Sequence, residues 1–157
     1  MASGRYGTSN QLAGTAQAIA AAYKTIVALT AATATLRRAW PYEINVGADG
    51  TPADNALVFD LSRQTAAGTS TPATPTSLDP ADAAADTVGS VNFTAEGTIT
   101  AASSLWSLAM NQRASYRWVA REGAEFVIPA TNLAGVALRC KSAAYTGTVT
   151  GQLHHQE

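Results

Sequence analysis

Apolar and polar residues alternate with a period of two in short stretches, and turn-forming residues end each stretch before it can lengthen. Tyr42-Glu43-Ile44-Asn45-Val46, Ala56-Leu57-Val58-Phe59-Asp60-Leu61 and Gly135-Val136-Ala137-Leu138-Arg139-Cys140-Lys141 each offer one face to a core and the other to water. Gly, Pro, Asn and Asp punctuate the chain between them from Leu36 onward. A chain patterned in this way is confined to all-β architectures.

The 157 residues make one domain with room for a sizeable core. Charged residues are only 13% of the chain and the net charge is −1, against about 25% charged residues in an ordinary soluble protein. No electrostatic footprint for nucleic acid or an anionic membrane follows from that balance. Ala, Thr, Ser and Gly fill the difference, which implies a small, neutral surface that desolvates cheaply at an interface. The single cysteine, Cys140, excludes an internal disulfide and alternates in phase with Val136 and Leu138, as a core thiol would. The first residues carry no apolar secretory core, and Leu12 to Leu36 is too weakly apolar to span a bilayer. Synthesis in the cytoplasm, with no membrane partner, is the expectation.

Residues 1–20 are expected to form an extended N-terminal arm, mobile over 1 to about 14, with a single β-sandwich domain over 21–157. The segment 12–36 admits two readings. Leu12, Ala16, Ile19, Tyr23, Ile26, Val27 and Thr30 fall at helical spacing, whereas Tyr23–Thr30 is rich in β-branched and aromatic residues. A strand over about 23–30, with Tyr23, Thr25, Val27 and Leu29 on one face, is the favoured reading. Further strands are expected over 37–46, interrupted by Pro41 at an edge or bulge, and over about 56–63, 88–94, 98–100, 104–111, 114–120, 125–129, 135–142 and 146–154. A long Thr/Pro/Ala connection over 66–87 is kept extended by Pro72 and Pro75. Asp79 as N-cap and Pro80 at the first helical position predict one short helix in its second half. The fold class is therefore a jelly-roll-like β-sandwich of about eight short antiparallel strands. The expected inward set is Tyr42, Ile44, Val46, Leu57, Phe59, Leu61, Val91, Phe93, Leu108, Met110, Tyr116, Trp118, Val136, Leu138, Cys140, Val149 and Leu153.

Residues that carry chemistry do not cluster. His154 and His155 are the only histidines, and as strand neighbours they point to opposite faces, so a shared metal is disfavoured and a surface or interface position is expected. No nucleophile elbow offers them a serine. Asp49, Asp54, Asp60, Asp79, Asp82 and Asp86 fit turns and caps better than a calcium loop or a carboxylate pair. Gly47-Ala48-Asp49-Gly50 lacks the lysine and helix of a phosphate loop. No catalytic residue, cofactor or metal site is predicted.

Interleaved Arg and aromatic residues stand out instead. Arg113, Arg117 and Arg121 accompany Tyr116 and Trp118, and Arg37, Arg38 and Trp40 precede Tyr42. Such sets stack on single-stranded nucleic acid or anchor protein interfaces. The near-zero charge favours the interface. Arg5, Tyr6, Arg37, Arg38, Trp40, Arg113 and Arg117 are the candidate interface residues, Arg5 and Tyr6 through the arm. Plain packing, with Arg63 or Arg117 paired to a nearby Asp, is the competing account.

An ordered series of segments carries a resemblance. It runs through Tyr23-Lys24-Thr25-Ile26-Val27-Ala28-Leu29, Thr51-Pro52-Ala53-Asp54-Asn55-Ala56, Ser62-Arg63-Gln64-Thr65-Ala66-Ala67-Gly68-Thr69 and Leu78-Asp79-Pro80-Ala81-Asp82-Ala83-Ala84. It continues in Asn111-Gln112-Arg113-Ala114-Ser115-Tyr116-Arg117-Trp118, Glu125-Phe126-Val127-Ile128-Pro129-Ala130-Thr131 and Tyr145-Thr146-Gly147-Thr148-Val149-Thr150. From about residue 20 to 157 the chain resembles the head decoration, or cement, proteins of tailed bacteriophages, small virion proteins encoded beside the major capsid gene. The resemblance implies a β-rich homotrimer seated on the capsid exterior where capsomers meet, with the major capsid protein as partner. It brings no catalytic residues. A receptor- or glycan-binding head- or tail-fibre module is the alternative, with Trp40, Trp106 and Trp118 as stacking faces. A small hydrolase has no motif to support it.

Overall fold

The computed structural model describes residues 4–11, 16–51, 53–145 and 147–157. Among them are twelve strands: β1 (Arg5–Ser9), β2 (Gln17–Ala18), β3 (Lys24–Ala31), β4 (Trp40–Asp49), β5 (Ala56–Ala66), β6 (Thr69–Ala73), β7 (Thr76–Ser77), β8 (Thr87–Ala95), β9 (Thr98–Asn111), β10 (Ser115–Val119), β11 (Gly135–Lys141) and β12 (Thr148–Gln156). They form two antiparallel sheets. The first runs β10-β4-β12-β1-β7, with β2 also on β12, and the second runs β6-β8-β3-β11-β5-β9.

Alternation sets what each strand contributes. Leu57, Phe59 and Leu61 of β5 and Val136, Leu138 and Cys140 of β11 turn inward from the second sheet, and Ile44, Val46, Val149 and Leu153 of β4 and β12 meet them from the first. All belong to one apolar cluster, so the two sheets share a core. Gly151 of β12 shows how closely they approach, because a Cβ there would stand 2.9 Å from Ile26 and 3.0 Å from Leu138. The strand reading of residues 23–30 holds as β3, buried along nearly its whole length. A register shift in the β3–β11 pair between Leu138 and Arg139 brings Ile26 into the core beside Val27 and Leu29, while Thr25 lies opposite Arg139. A bulge on one strand changes which residues share a face.

Several expectations change. No helix occurs among the described residues. At Asp79 the chain makes a turn, with the Asp82 N–H donating to the Asp79 carbonyl at 3.0 Å and the Ala81 N–H to the Asp79 carboxylate at 2.9 Å. The groups a helix would need are engaged elsewhere. Tyr6 Oη donates to the Ala83 carbonyl, and the Asp86 and Thr87 amides donate to Glu157. The long connection contains β6 and β7, with Pro72 on the free edge strand β6. Residues 98–100 and 104–111 are one strand, β9, bulged where Ala102 sits at φ 52°. Residues 125–129 hold only an isolated bridge between Ala39 and Ile128. Pro41 lies in β4, an interior strand and not an edge, but beside a bulge, the other expected place for it: it pairs with His155, and the register shifts between His154 and His155.

The arm also differs. Arg5–Ser9 is β1, paired with β12 on one side and β7 on the other, and Tyr6, Thr8 and Asn10 are buried. Asn10 replaces a ladder bond by exchanging side-chain hydrogen bonds with Val149 and Gly151. Of the expected core, Tyr116 is 43% exposed, and Tyr42, Leu108, Met110 and Trp118 are half-buried. Phe93 packs in a second small cluster with Ala28, Ala137 and Ile99, because Asn92 at φ 51° breaks the alternation after Val91. The expectations for residues 1–3, 12–15, Pro52 and Thr146 lie outside the described residues.

Candidate interface surface

The candidate interface residues are dispersed. Arg117 of β10 grips Glu43 of β4 with both guanidinium arms, at 2.7 and 3.0 Å. Asn45 donates to the same carboxylate at 2.9 Å and His154 Nδ1 stands 3.4 Å away. The Arg117 hydrogen bond, against the cost of burial and helped by Asn45 and His154, holds Glu43 at about 2. Arg113 pairs with Asp54 at 3.0 Å and Arg37 with Asp86 at 2.9 Å. Arg63 donates to the Val127 carbonyl at 3.0 Å. Arg5 and Arg38 are exposed, and Trp40 is half-buried at the start of β4. Tyr6 is no surface anchor: its ring stacks on His155 at 5.4 Å. Pairing neutralises much of the basic character that the aromatic–arginine spacing promised.

His155, expected at a surface or interface, is fully buried. Its Nε2 lies 2.7 Å from Thr87 Oγ1 and 3.2 Å from Glu157 Oε1. Burial alone would push the Glu157 carboxyl up. Donation from His155, from the Thr87 hydroxyl at 2.6 Å and from the Asp86 and Thr87 amides at 2.7 and 2.8 Å overcomes it and holds the group at about 2. The cluster ties β12 to β8 and, through Tyr6, to β1. A second buried network lies on the outer side of the second sheet. Asp60 accepts from Ser104 and Ser62, each at 2.5 Å, and from Arg139 at 2.6 Å, and these bonds outweigh burial to keep it below the usual carboxylate range. Arg139 and Lys141 in turn cover the Tyr23 ring. Burial pushes the Cys140 thiol up to about 12, which removes it as a nucleophile. No group of three or more His, Cys, Asp or Glu with metal-binding geometry occurs among the described residues.

The surface with the least structural explanation is the side where β9 and β10 end their sheets. Trp106, Leu108 and Met110 of β9 and Trp118 of β10 only partly close the core there. Trp106 stands 6.3 Å from Tyr116, and Trp118 stacks on Phe126 at 4.7 Å. Tyr116 and Val119 remain 43% and 49% exposed. Sequence reasoning placed strands at 98–100 and 104–111 and named Trp106 as a stacking face of the alternative reading, but it did not put β9 among the interface candidates; the signal available was the absence of any charge or proline from Thr98 to Asn111. On the outer face of the first sheet lies a trough of about 570 Å³ with a mixed lining, Ser9, Asn45, Ser115, Arg117, Thr150 and Gln152 among others.

No family model, curated protein or solved structure matches the chain.

Proposed function

We propose that this protein is a structural component of a virion: a decoration protein that seats on the outside of a tailed-phage head at capsomer junctions and stabilises the shell. The observation that carries this reading is the open side between β9 and β10, where Trp106, Tyr116, Trp118 and Val119 are left partly in water. A solitary domain gains nothing from wetting that row, whereas an assembling one covers it. The strand order supports a jelly roll. β10-β4-β12-β1 and β3-β11-β5-β9 interleave as two four-stranded sheets whose successive strands cross from one to the other, except for β5 and β9, which pair in the second sheet with β6, β7 and β8 inserted between them in sequence. Such sandwiches recur in virion proteins. Fold alone does not assign a role; the open side and the neutral, ion-paired exterior are what support this one. Copies act as a homotrimer with the major capsid protein as partner, and many modest contacts on a closed lattice add by avidity. Electron cryo-microscopy of the virion tests this. Symmetric density for this chain outside the capsid lattice is expected; its absence from purified heads refutes the reading.

The trough on the first sheet favours a second reading, a glycan-binding fibre module. Amides and hydroxyls from β1, β4, β10 and β12 converge there as sugar recognition needs. None of the three tryptophans lines it, which is why this reading ranks second. A glycan array without signal eliminates it.

A further inference from the structure

Among the described residues both sheets end in strands with no further strand beside them, and proteins ordinarily blunt such edges with shortness, proline, charge or a bulge. Three of the four ends here follow that rule. β7 has two residues, β6 carries Pro72, and β10 is five residues long with Arg117 at its centre. β9 does not. Its bulge around Ala102 turns only the first part of the strand; from Trp106 to Asn111 it runs in unbroken register with Leu61 to Ala56, and it has no charge or proline.

We propose that β9 of one copy pairs edge to edge with β10 of the next copy of this chain, so that each boundary joins the second sheet of one subunit to the first sheet of its neighbour and a cyclic oligomer closes. The inference rests on the assembling role proposed above and specifies the surface. The two edges flank the same open side, and the regular part of β9 matches the length of β10. Coverage of both edges selects the pairing. Two β10 strands side by side would leave β9, the one long edge strand without charge or proline, in water. Two β9 strands side by side would leave β10, with Tyr116 and Val119, in water. Uncharged β9 against β10 satisfies both edges and covers the aromatic row, and a head-to-tail contact of this kind closes into a ring when the rotation between copies is a whole fraction of a turn.

Cysteine cross-linking tests the pairing, since a disulfide forms only between Cα atoms within about 7 Å. Ser107→Cys or Ala109→Cys protein is co-expressed with differently tagged Ser115→Cys or Val119→Cys protein; Cys140 is buried and does not interfere. Oxidation is expected to link the two tagged chains in at least one combination and to link none of the four variants expressed alone. Linked dimers in the Ser107→Cys or Ala109→Cys protein alone would show β9 pairing with itself and overturn the proposal. So would a wild-type chain that light scattering finds at the monomer mass of 16.1 kDa. An oligomer that none of the combinations links refutes the edge pairing while leaving the decoration role standing; absence from virions does the reverse.

Discussion

Replacing Glu157 by glutamine removes one negative charge from a site that four hydrogen bonds have been built to hold. The side chain is almost fully buried, and its oxygens accept from His155, the Thr87 hydroxyl and the Asp86 and Thr87 amides. The carboxyl consequently sits at about 2 in place of its ordinary 4.5. That displacement, at about 1.4 kcal/mol per pH unit, corresponds to about 3 kcal/mol in favour of the folded state. Because the folded value lies below the unfolded one, the contribution is complete above about pH 5 and disappears as pH falls toward 2. Glu157→Gln resembles the protonated side chain at every pH. At pH 7 it is expected to unfold about 3 kcal/mol more easily, which is a fall of about 1.5 M in the urea midpoint at a typical slope of about 2 kcal/mol per molar. Tryptophan fluorescence in urea at pH 7, 5, 4, 3 and 2 follows the gap between the two proteins. The gap should be nearly closed at pH 2, while both proteins still lose the acid-sensitive share of Glu43 and Asp60. A gap that stays constant with pH refutes the reasoning, because it would locate the cost in packing and not in the charge.

Other perturbations probe other parts of the fold. Phe59→Ala empties the largest wholly buried side chain of the core and should cost about 3–5 kcal/mol, read from the denaturation midpoint. Cys140, with its thiol pushed up to about 12 and buried, should resist a thiol reagent at pH 8 in the native protein and react within minutes once denatured; rapid native labelling would contradict its placement. Gly135 lies so close to the Leu29 carbonyl that a Cβ would overlap it, so Gly135→Ala should destabilise by about 1–3 kcal/mol; an unchanged melting temperature would show that β11 can shift from β3. Asp60→Ala leaves the Arg139 guanidinium, itself mostly buried, without its carboxylate and should cost about 3 kcal/mol or more in the same unfolding assay.

Period-two alternation located the central strands because it is local. β4, β5, β11 and β12 were legible with their inward residues, since burial of one face leaves its mark on the strand that carries it. What escaped was set by partners distant in sequence. Arg5–Ser9 reads as a polar arm, yet β12 and β7 flank it and supply its hydrogen bonds. Leu78–Ala85 has the start signal of a helix, but the amides of Asp86 and Thr87 answer to a carboxylate 70 residues or more away, and Ala83 to Tyr6. Single left-handed residues, Asn92 and Ala102, and a slipped register at Leu138 changed which residues face inward without altering composition. A propensity has no access to any of these.

The same distinction separates the two accounts of the surface. Choosing arginines and aromatics by type gathered residues whose charges the fold then neutralised: Arg117 by the buried Glu43 of the neighbouring strand, Arg113 by Asp54 of the β4–β5 connection, and Arg37 by Asp86. The more exposed Arg113–Asp54 and Arg37–Asp86 pairs contribute about 0–1 kcal/mol, and all three present little field to a partner. An unpaired edge, in contrast, cannot be seen in any one strand, because being last in a sheet is a property of strand order. Only after β5 is known to lie between β11 and β9, with no strand beyond β9 among the described residues, does a charge-free Leu105-Trp106-Ser107-Leu108-Ala109-Met110 become notable. Inside a sheet that composition would be ordinary. At an edge it leaves backbone donors and acceptors in water with no lysine, glutamate or proline to deter a passing strand, and the physical cost of leaving it bare falls as soon as another chain pairs with it.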